Sequence, residues 1–281
     1  MSGAGTVHDA LAAAVDALAA AGCDTPQLDA EVLIADALGV DRGELVTGSV
    51  SEVPSASARV IGERVRRRVM REPVAYIIGR KGFRHIDLAV DSRVLIPRPE
   101  TELLVEVALA APRGARVHEV GTGSGAVALA LMHERPDLRL SASDLSPRAI
   151  DVARANARAL GLDLPLVVAR GLPDPIATAP QGYAGPMRAY DLVLANLPYV
   201  SIGEAATLAP EIRRHEPPEA LISGPEGLDA IRDLVSEIPA GTRVALEHSP
   251  HQAEAVRGLL DRAETHRDLA GRERVTAGTG R

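Results

Sequence analysis

Apolar positions in residues 1–72 recur with helical spacing throughout. Val7, Leu11, Ala14, Val15, Leu18 and Ala19 share one face of a first helix. Thr25 followed by Pro26 reads as the N-cap and first residue of a second helix. Leu28, Val32, Leu33, Ala35 and Leu38 give that helix its apolar face, and Gly39 ends it. A short helix is expected over Arg42–Val46, then one capped by Ser55 that buries Val60, Ile61, Val65 and Val69. The pattern changes at Pro73. Two β-like runs, 83–90 and 93–96, flank Asp91-Ser92 as a hairpin turn, and Pro97–Glu102 opens a helix to about Ala111. From Arg116 strands alternate with helices: strands at 117–120, 138–143, 164–169, 191–195 and Arg243–Glu247, helices at Ala126–Glu134, 146–160, 227–238 and 250–262. Such alternation predicts a mostly parallel sheet covered on both faces. The segment 173–189, rich in Pro, Gly and Ala, reads as a loop. The resulting division is a helical domain over 1–72, a β-hairpin linker over 73–96 and an α/β domain over 97–281.

Composition narrows this picture. Of 281 residues only 2% are aromatic, with one Phe and no Trp, so the core must be aliphatic. The net charge of −7 argues against a broad nucleic-acid surface. Cys23 is the single cysteine, which excludes disulfides and Cys-based metal sites within one chain. No stretch approaches the roughly 18–20 apolar residues of a membrane span, and the start lacks the pattern of a signal peptide. A cytoplasmic monomer without a membrane partner is expected. One local feature runs against the net charge: Arg59, Arg64, Arg66, Arg67, Arg68 and Arg71 crowd one side of the fourth helix. They read either as a solvated face favoured by the helix dipole or as a contact for an acidic partner or RNA.

Three groups of residues carry candidate chemistry. Glu119-Val120-Gly121-Thr122-Gly123-Ser124-Gly125-Ala126 leaves a strand and enters a helix, where glycines allow close approach of a ligand. The loop fits both a dinucleotide site and other nucleotide-like cofactors. Asp144, at the end of the next strand, could accept both hydroxyls of a ribose or simply start the helix behind Ser146-Pro147. Glu119 favours S-adenosylmethionine, because a carboxylate there would attract an ammonium group and repel a pyrophosphate. Asn196-Leu197-Pro198-Tyr199 ends the fourth strand of this unit. It supplies an amide, a carbonyl in a backbone held extended by Pro198, and a ring, which together suit a planar –NH2 group. The same four residues would also make an ordinary strand–proline turn.

Taken with Glu72-Pro73-Val74-Ala75-Tyr76-Ile77-Ile78-Gly79, Phe83, the run Val94 to Glu102 and His215-Glu216-Pro217, these motifs resemble the bacterial release-factor glutamine N5-methyltransferases of the HemK/PrmC type. The resemblance covers nearly the whole chain. It implies a Rossmann-like S-adenosylmethionine-dependent methyltransferase sheet with a small helical N-terminal domain that docks the partner. The substrate would be a peptide chain release factor, methylated on the side-chain amide of the glutamine in its Gly-Gly-Gln motif. Asn196, Leu197, Pro198 and Tyr199 would be catalytic, and Asn196 would also touch the cofactor. Glu119, Gly121, Thr122, Gly123, Ser124, Gly125, Asp144, Leu145, Gly171 and Leu172 would bind S-adenosylmethionine. Two positions depart from the family pattern. Leu197 stands where a proline is usual, and Arg170-Gly171-Leu172 stand where an acidic and a bulky apolar residue are usual near the adenine. Other acceptors, adenine in nucleic acid or a small-molecule amine or amide, would use the same tetrapeptide.

Overall fold

The computed structural model describes residues 5–174 and 190–281; most of the loop expected at 173–189 therefore lies outside the described residues. The chain forms two compact units. One runs to Gly79 and also takes in Ala209–His215, and the other holds the remaining residues from Arg80 onward.

The first unit is helical, apart from β1 (Gly5–Thr6) paired with β2 (Glu52–Val53). Its helices are α1 (Val7–Ala20), α2 (Pro26–Leu38), α3 (Arg42–Val46), α4 (Ser55–Val69) and α5 (Val74–Ile78). Thr6 caps α1 by accepting from Asp9 N at 3.1 Å, and Asp41 with Glu44 forms a capping box on α3. Ser55, expected as a cap, is already helical behind Pro54. Ala14, Leu18, Ala30, Ile34, Leu45 and Ile61 make the core. The sequence put a boundary at 72, but α5 packs on α2 and α4, and the compact unit extends to Gly79.

The second unit opens on a hairpin, β3 (Arg80–Phe83) with β4 (Ile86–Ala89). Its turn is Arg84-His85, with Arg84 at φ 49°, and not Asp91-Ser92. Asp91 instead accepts from Arg93 N at 3.0 Å, a side-chain turn that leaves 93–96 outside any strand. The helix expected from Pro97 divides into a 3-10 turn, Pro99–Thr101, and α6 (Glu102–Leu109). There follow β5 (Arg116–Val120), α7 (Ala126–Glu134), β6 (Arg139–Asp144), α8 (Pro147–Ala159), β7 (Leu166–Val168), β8 (Leu192–Ala195), α9 (Pro210–His215), α10 (Asp229–Glu237), β9 (Arg243–Glu247), α11 (Ala253–Arg257), β10 (Asp261–Arg267) and β11 (Glu273–Thr279). Of these, α9 belongs to the first unit. No helix among the described residues is long and apolar enough to cross a membrane.

Seven strands form one sheet in the order β10-β11-β9-β8-β5-β6-β7. The run from β9 to β7 is parallel, and β11 is antiparallel to both its neighbours. This is the expected Rossmann-like sheet. Successive residues of β8 explain why it is buried: Leu192 and Leu194 enter the core on one face, Val193 and Ala195 that on the other. The strand order reverses between β5 and β8, and a crevice opens at such a point, at the carboxyl ends of the strands. The helix expected over 250–262 ends at Arg257, and β10 begins at Asp261. An edge strand rich in charge, with Asp261, Arg262, Glu264 and Arg267, carries no apolar alternation to announce it.

The arginine face of α4 is divided: Arg59 and Arg66 face solvent, whereas the other four are held by carboxylates. Arg64 pairs with Asp36 at 2.6 Å and Arg67 with Glu72 at 2.5 Å. Arg68, 5% exposed, donates to Asp29 at 2.7 Å and to Glu211 on α9 at 2.8 Å. Arg71 grips the same Glu211 with two bonds, at 2.7 and 2.8 Å. Of the six, Arg59 is the one with no such bond among the described residues.

Candidate functional site

Sheet register sets the site. Val120 of β5 lies opposite Ser143 of β6 on one side and Ala195 of β8 on the other. The next residue of each strand, Gly121, Asp144 and Asn196, therefore reaches the same rim. All three line a cavity of about 630 Å³ at the strands' carboxyl ends. Glu119, Thr122, Gly123, Ser124, Leu145, Gly171, Leu197 and Pro198 line it too. Gly125, Leu172 and Tyr199 do not. Gly125 serves the turn: its φ is 86°, and a Cβ there would stand 2.8 Å from Leu129 Cδ1. Leu172 packs into the core on the α10 side of the sheet.

The glycine loop holds itself together with its own N–H groups. Gly121 N and Thr122 N both donate to Ser143 O, at 2.9 and 3.0 Å, Gly123 N to Asp144 Oδ2 at 2.9 Å, and Gly125 N to Thr122 O at 2.8 Å. These donors are not free to cradle a phosphate, contrary to the reading of the loop as an exposed helix start. Glu119 fills the anion's usual place. Its Oε2 accepts from Ala128 N, in the first turn of α7, at 3.0 Å and from the Thr122 hydroxyl at 2.6 Å. Burial pushes the Glu119 carboxyl up to about 7, against those two bonds, and nearby Asp144 adds to the rise. Burial also raises Asp144, although Ser146 N at 2.8 Å and Gly123 N brace its charged form. Glu219, Asp233 and Glu237 add further carboxylates to the lining. Arg93 and Arg170 also line the cavity, but carboxylates outnumber them, and a cavity whose helix N-terminus already holds a carboxylate suits a ligand carrying positive charge and repels a pyrophosphate. Carboxylates beside Asp144 and along α10 were not foreseen, because α10 reads as an ordinary amphipathic helix.

The acceptor side is held as closely. Asn196 Nδ2 donates to Thr101 Oγ1 at 3.0 Å, and the Tyr199 hydroxyl donates to Glu247 Oε1 at 3.2 Å. Tyr199 O accepts from Gln252 Nε2 at 2.9 Å, and the same nitrogen reaches Glu226 O at 3.0 Å. Leu197 packs with the apolar core and against Gly121. Arg98 pairs with buried Glu216, which also accepts from Ile96 N at 3.3 Å. Thr101, Glu247, Gln252 and Glu216 were not named as site residues. For Glu247 a signal existed: a carboxylate closing a largely apolar strand, as Asp144 closes β6.

Gly227 supports this side. At φ 73°, a Cβ on it would fall 2.1 Å from Tyr199 O and 2.6 Å from Gln252 Nε2. Gly227→Ala should therefore cost about 2–4 kcal/mol and lower turnover by displacing Tyr199. Urea unfolding and steady-state kinetics check this, and unchanged stability would mean that the segment shifts freely.

Comparison with known proteins adds two family matches. A model described as PrmC N-terminal domain matches residues 9–79, and one described as Methyltransferase small domain matches residues 99–212. The chain is 40% identical over 278 residues to a release factor glutamine methyltransferase of Cereibacter sphaeroides, covering 96% of each chain. It is 41% identical over 276 residues to the protein of that name from Xylella fastidiosa strain Temecula1, covering 93% of this chain and 96% of the relative. A Deinococcus radiodurans protein of the same name is 37% identical over 280 residues, with 95% and 96% covered. Among solved structures, the catalytic domain of hMettl16 in complex with MAT2A 3'UTR hairpin 1 shares the fold at a TM-score of 0.50 and 13% identity, over 78% of this chain and 81% of that one.

Proposed function

Since the chain belongs to the release factor glutamine methyltransferase family, we propose that it methylates N5 of the glutamine in the Gly-Gly-Gln motif of peptide chain release factors, with Asn196-Leu197-Pro198-Tyr199 as the acceptor site. The protein is an S-adenosylmethionine-dependent protein-glutamine methyltransferase. The observation that supports this assignment of the site is the common rim of Gly121, Asp144 and Asn196, which puts the Asn196 amide on the lining of the same acidic cavity as the glycine loop. S-adenosylmethionine, when bound, supplies a methyl group on a positively charged sulfur. Glu119 and Asp144 would hold its charged and ribose portions.

An amide nitrogen is a poor nucleophile because its lone pair is delocalised into the carbonyl. Asn196 Oδ1 and the Leu197 carbonyl would accept its two N–H groups and turn the nitrogen towards the methyl. Held by these two acceptors, the nitrogen would face the methyl group that S-adenosylmethionine would supply, with the sulfonium as its leaving group. The nitrogen then gives one proton to solvent. Positioning and electrostatics carry the rate, and no general base is required. Leu197 keeps the carbonyl that the reaction needs, so its departure from proline leaves this chemistry intact. Adenine is a weaker candidate acceptor, because a net charge of −7 disfavours the broad basic surface that nucleic acid requires.

The deciding experiment is incubation with labelled S-adenosylmethionine and, separately, release factor, duplex DNA and RNA. Mass spectrometry of the Gly-Gly-Gln peptide should place the label on glutamine; label on nucleic acid alone would overturn the reading. The cofactor end has its own test. A cation favours the ionised forms of Glu119 and Asp144, whose carboxyls are raised by burial. Cofactor binding near neutral pH should therefore release protons, and affinity should weaken as the pH falls below about 7. Calorimetry in two buffers of different ionisation enthalpy measures this directly. Identical apparent enthalpies would remove Glu119 from contact with the charged end.

A further inference from the structure

Three elements converge behind the acceptor tetrapeptide. Thr101 comes from the 3-10 turn before α6, Asn196 and Tyr199 follow β8, and Glu247 ends β9. The register Ala195↔Leu246 sets Asn196 and Glu247 side by side at adjacent strand ends. Glu247 is 1% exposed and takes the Tyr199 hydroxyl on Oε1, while Oε2 is buried without a hydrogen-bond partner among the described residues. The Thr101 hydroxyl also favours the charged carboxylate, and its oxygen accepts from Asn196 Nδ2 at 3.0 Å.

The geometry points to Glu247 as a positioning residue: its buried, unpartnered Oε2 calls for a donor, and by accepting the Thr101 hydroxyl it would leave the Thr101 oxygen to accept from Asn196 Nδ2 and turn Asn196 Oδ1 towards the incoming amide, while Oε1 of the same carboxylate fixes the Tyr199 ring. This rests on the reading of Asn196 as the acceptor clamp. The need for such a device is chemical. The oxygen and nitrogen ends of an asparagine amide are nearly the same size, so shape alone does not choose between them. A flipped Asn196 would oppose its own –NH2 to the substrate –NH2, donor against donor. Thr101 by itself does not choose either, since a hydroxyl both donates and accepts. An ionised carboxylate only accepts, and a buried one cannot trade its partners for water.

Protonation would undo the arrangement, because a neutral carboxyl can donate to Thr101 and release the hydroxyl to donate to Asn196 Oδ1. Burial pushes the Glu247 carboxyl up to about 7; the Thr101 and Tyr199 hydroxyls and Arg274 oppose that rise, and Glu100 adds to it. Arg274 is itself held by Asp268 at 3.2 Å and faces Glu100 at 3.7 Å. Turnover should therefore fall as the pH drops through about 7.

The test compares Thr101→Val, Thr101→Ser and Glu247→Gln with the wild-type protein, using release factor as substrate. Thr101→Val should lower kcat about 10–100-fold, with KM and cofactor affinity within about threefold. Thr101→Ser should recover most of the rate. Glu247→Gln should lose the acidic limb of the kcat profile near pH 7. Without substrate, the side-chain amide resonances of Asn196 should titrate near pH 7 in the wild type and not in Thr101→Val. Thr101→Val within twofold of wild type, or an acidic limb that survives Glu247→Gln, would overturn the proposal. The resonance separates the two readings. If Asn196 titrates as described but glutamine is not methylated, the substrate assignment fails and the positioning role stands; an amide indifferent to pH and to Thr101 removes the positioning role.

Discussion

Replacing Asn196 with alanine should reduce methyl transfer by about two to three orders of magnitude while cofactor affinity falls by less than about fivefold. The asymmetry follows from where its groups point. Asn196 Nδ2 is taken by Thr101, which leaves the oxygen as the group available to an acceptor amide at the rim. The cofactor side of the cavity is built from other parts: the glycine loop sealed by its own N–H groups, Glu119 against α7, and Asp144 braced by Gly123 and Ser146. None of these bonds includes Asn196. Steady-state kinetics with release factor, together with calorimetry of cofactor binding, make the comparison. Equal losses of rate and affinity would identify Asn196 as mainly a cofactor ligand. Asn196→Asp should also fail, although it keeps an oxygen at the rim, because its carboxylate has no N–H to give Thr101 and adds a charge beside Glu247.

Much of this site is legible in the sequence because its backbone parts are local. Glu119 and Asp144 lie within the last two positions of short strands, the glycines and Asn196 directly follow strands, and strand ends in a parallel sheet share one rim whatever the rest of the fold does. What the loop does with its N–H groups is another matter. Ser143 O lies two strands' worth of chain away from Gly121, so a sequence shows glycines that could expose donors but not the carbonyl that absorbs them. Thr101 and Glu247 are separated from Asn196 by 95 and about 50 positions, and their role exists only through hydrogen bonds across three elements. The hairpin was misplaced for a different reason: Asp91-Ser92 has turn chemistry, and it does make a turn, but the pairing partner sits on the other side of Arg84. β10 was invisible because an edge strand of charged residues lacks the alternation on which recognition of strands depends, and β11, which lies inside the sheet, offers only Val275 as a large apolar residue. The arginines of α4 were visible as a cluster and opaque in purpose, since the partners of Arg64, Arg68 and Arg71 on α2 and α9 come from distant sequence.

Arg68→Ala should destabilise the first unit by about 3–5 kcal/mol, far beyond an ordinary surface arginine. Arg68 is 5% exposed and joins two carboxylates, Asp29 at 2.7 Å and Glu211 at 2.8 Å. Removing it affects them unequally. Glu211 keeps two bonds from Arg71, whereas Asp29, 6% exposed, is left with the Thr25 hydroxyl at 2.9 Å. A buried carboxylate without its cation accounts for most of the cost, so Arg68→Ala combined with Asp29→Ala should recover a large part of the stability. Urea unfolding measures both variants, and a double variant no better than Arg68→Ala would show that lost packing dominates. The acid response separates the two carboxylates further. Burial pushes Glu211 up, but hydrogen bonds from Arg71 and Arg68 outweigh it and hold the carboxyl at about 2. A folded value below the unfolded one, about 4.3, adds stability that is complete above the unfolded value and disappears as the pH falls towards 2. Because Arg71 remains in Arg68→Ala, most of that acid-dependent part should survive, and hydrogen exchange at Ala209–His215 should stay slow near neutral pH. Arg71→Ala should do the reverse: it leaves the Asp29 bond to Arg68 in place and loosens that segment, since Glu211 would then depend on Arg68 alone.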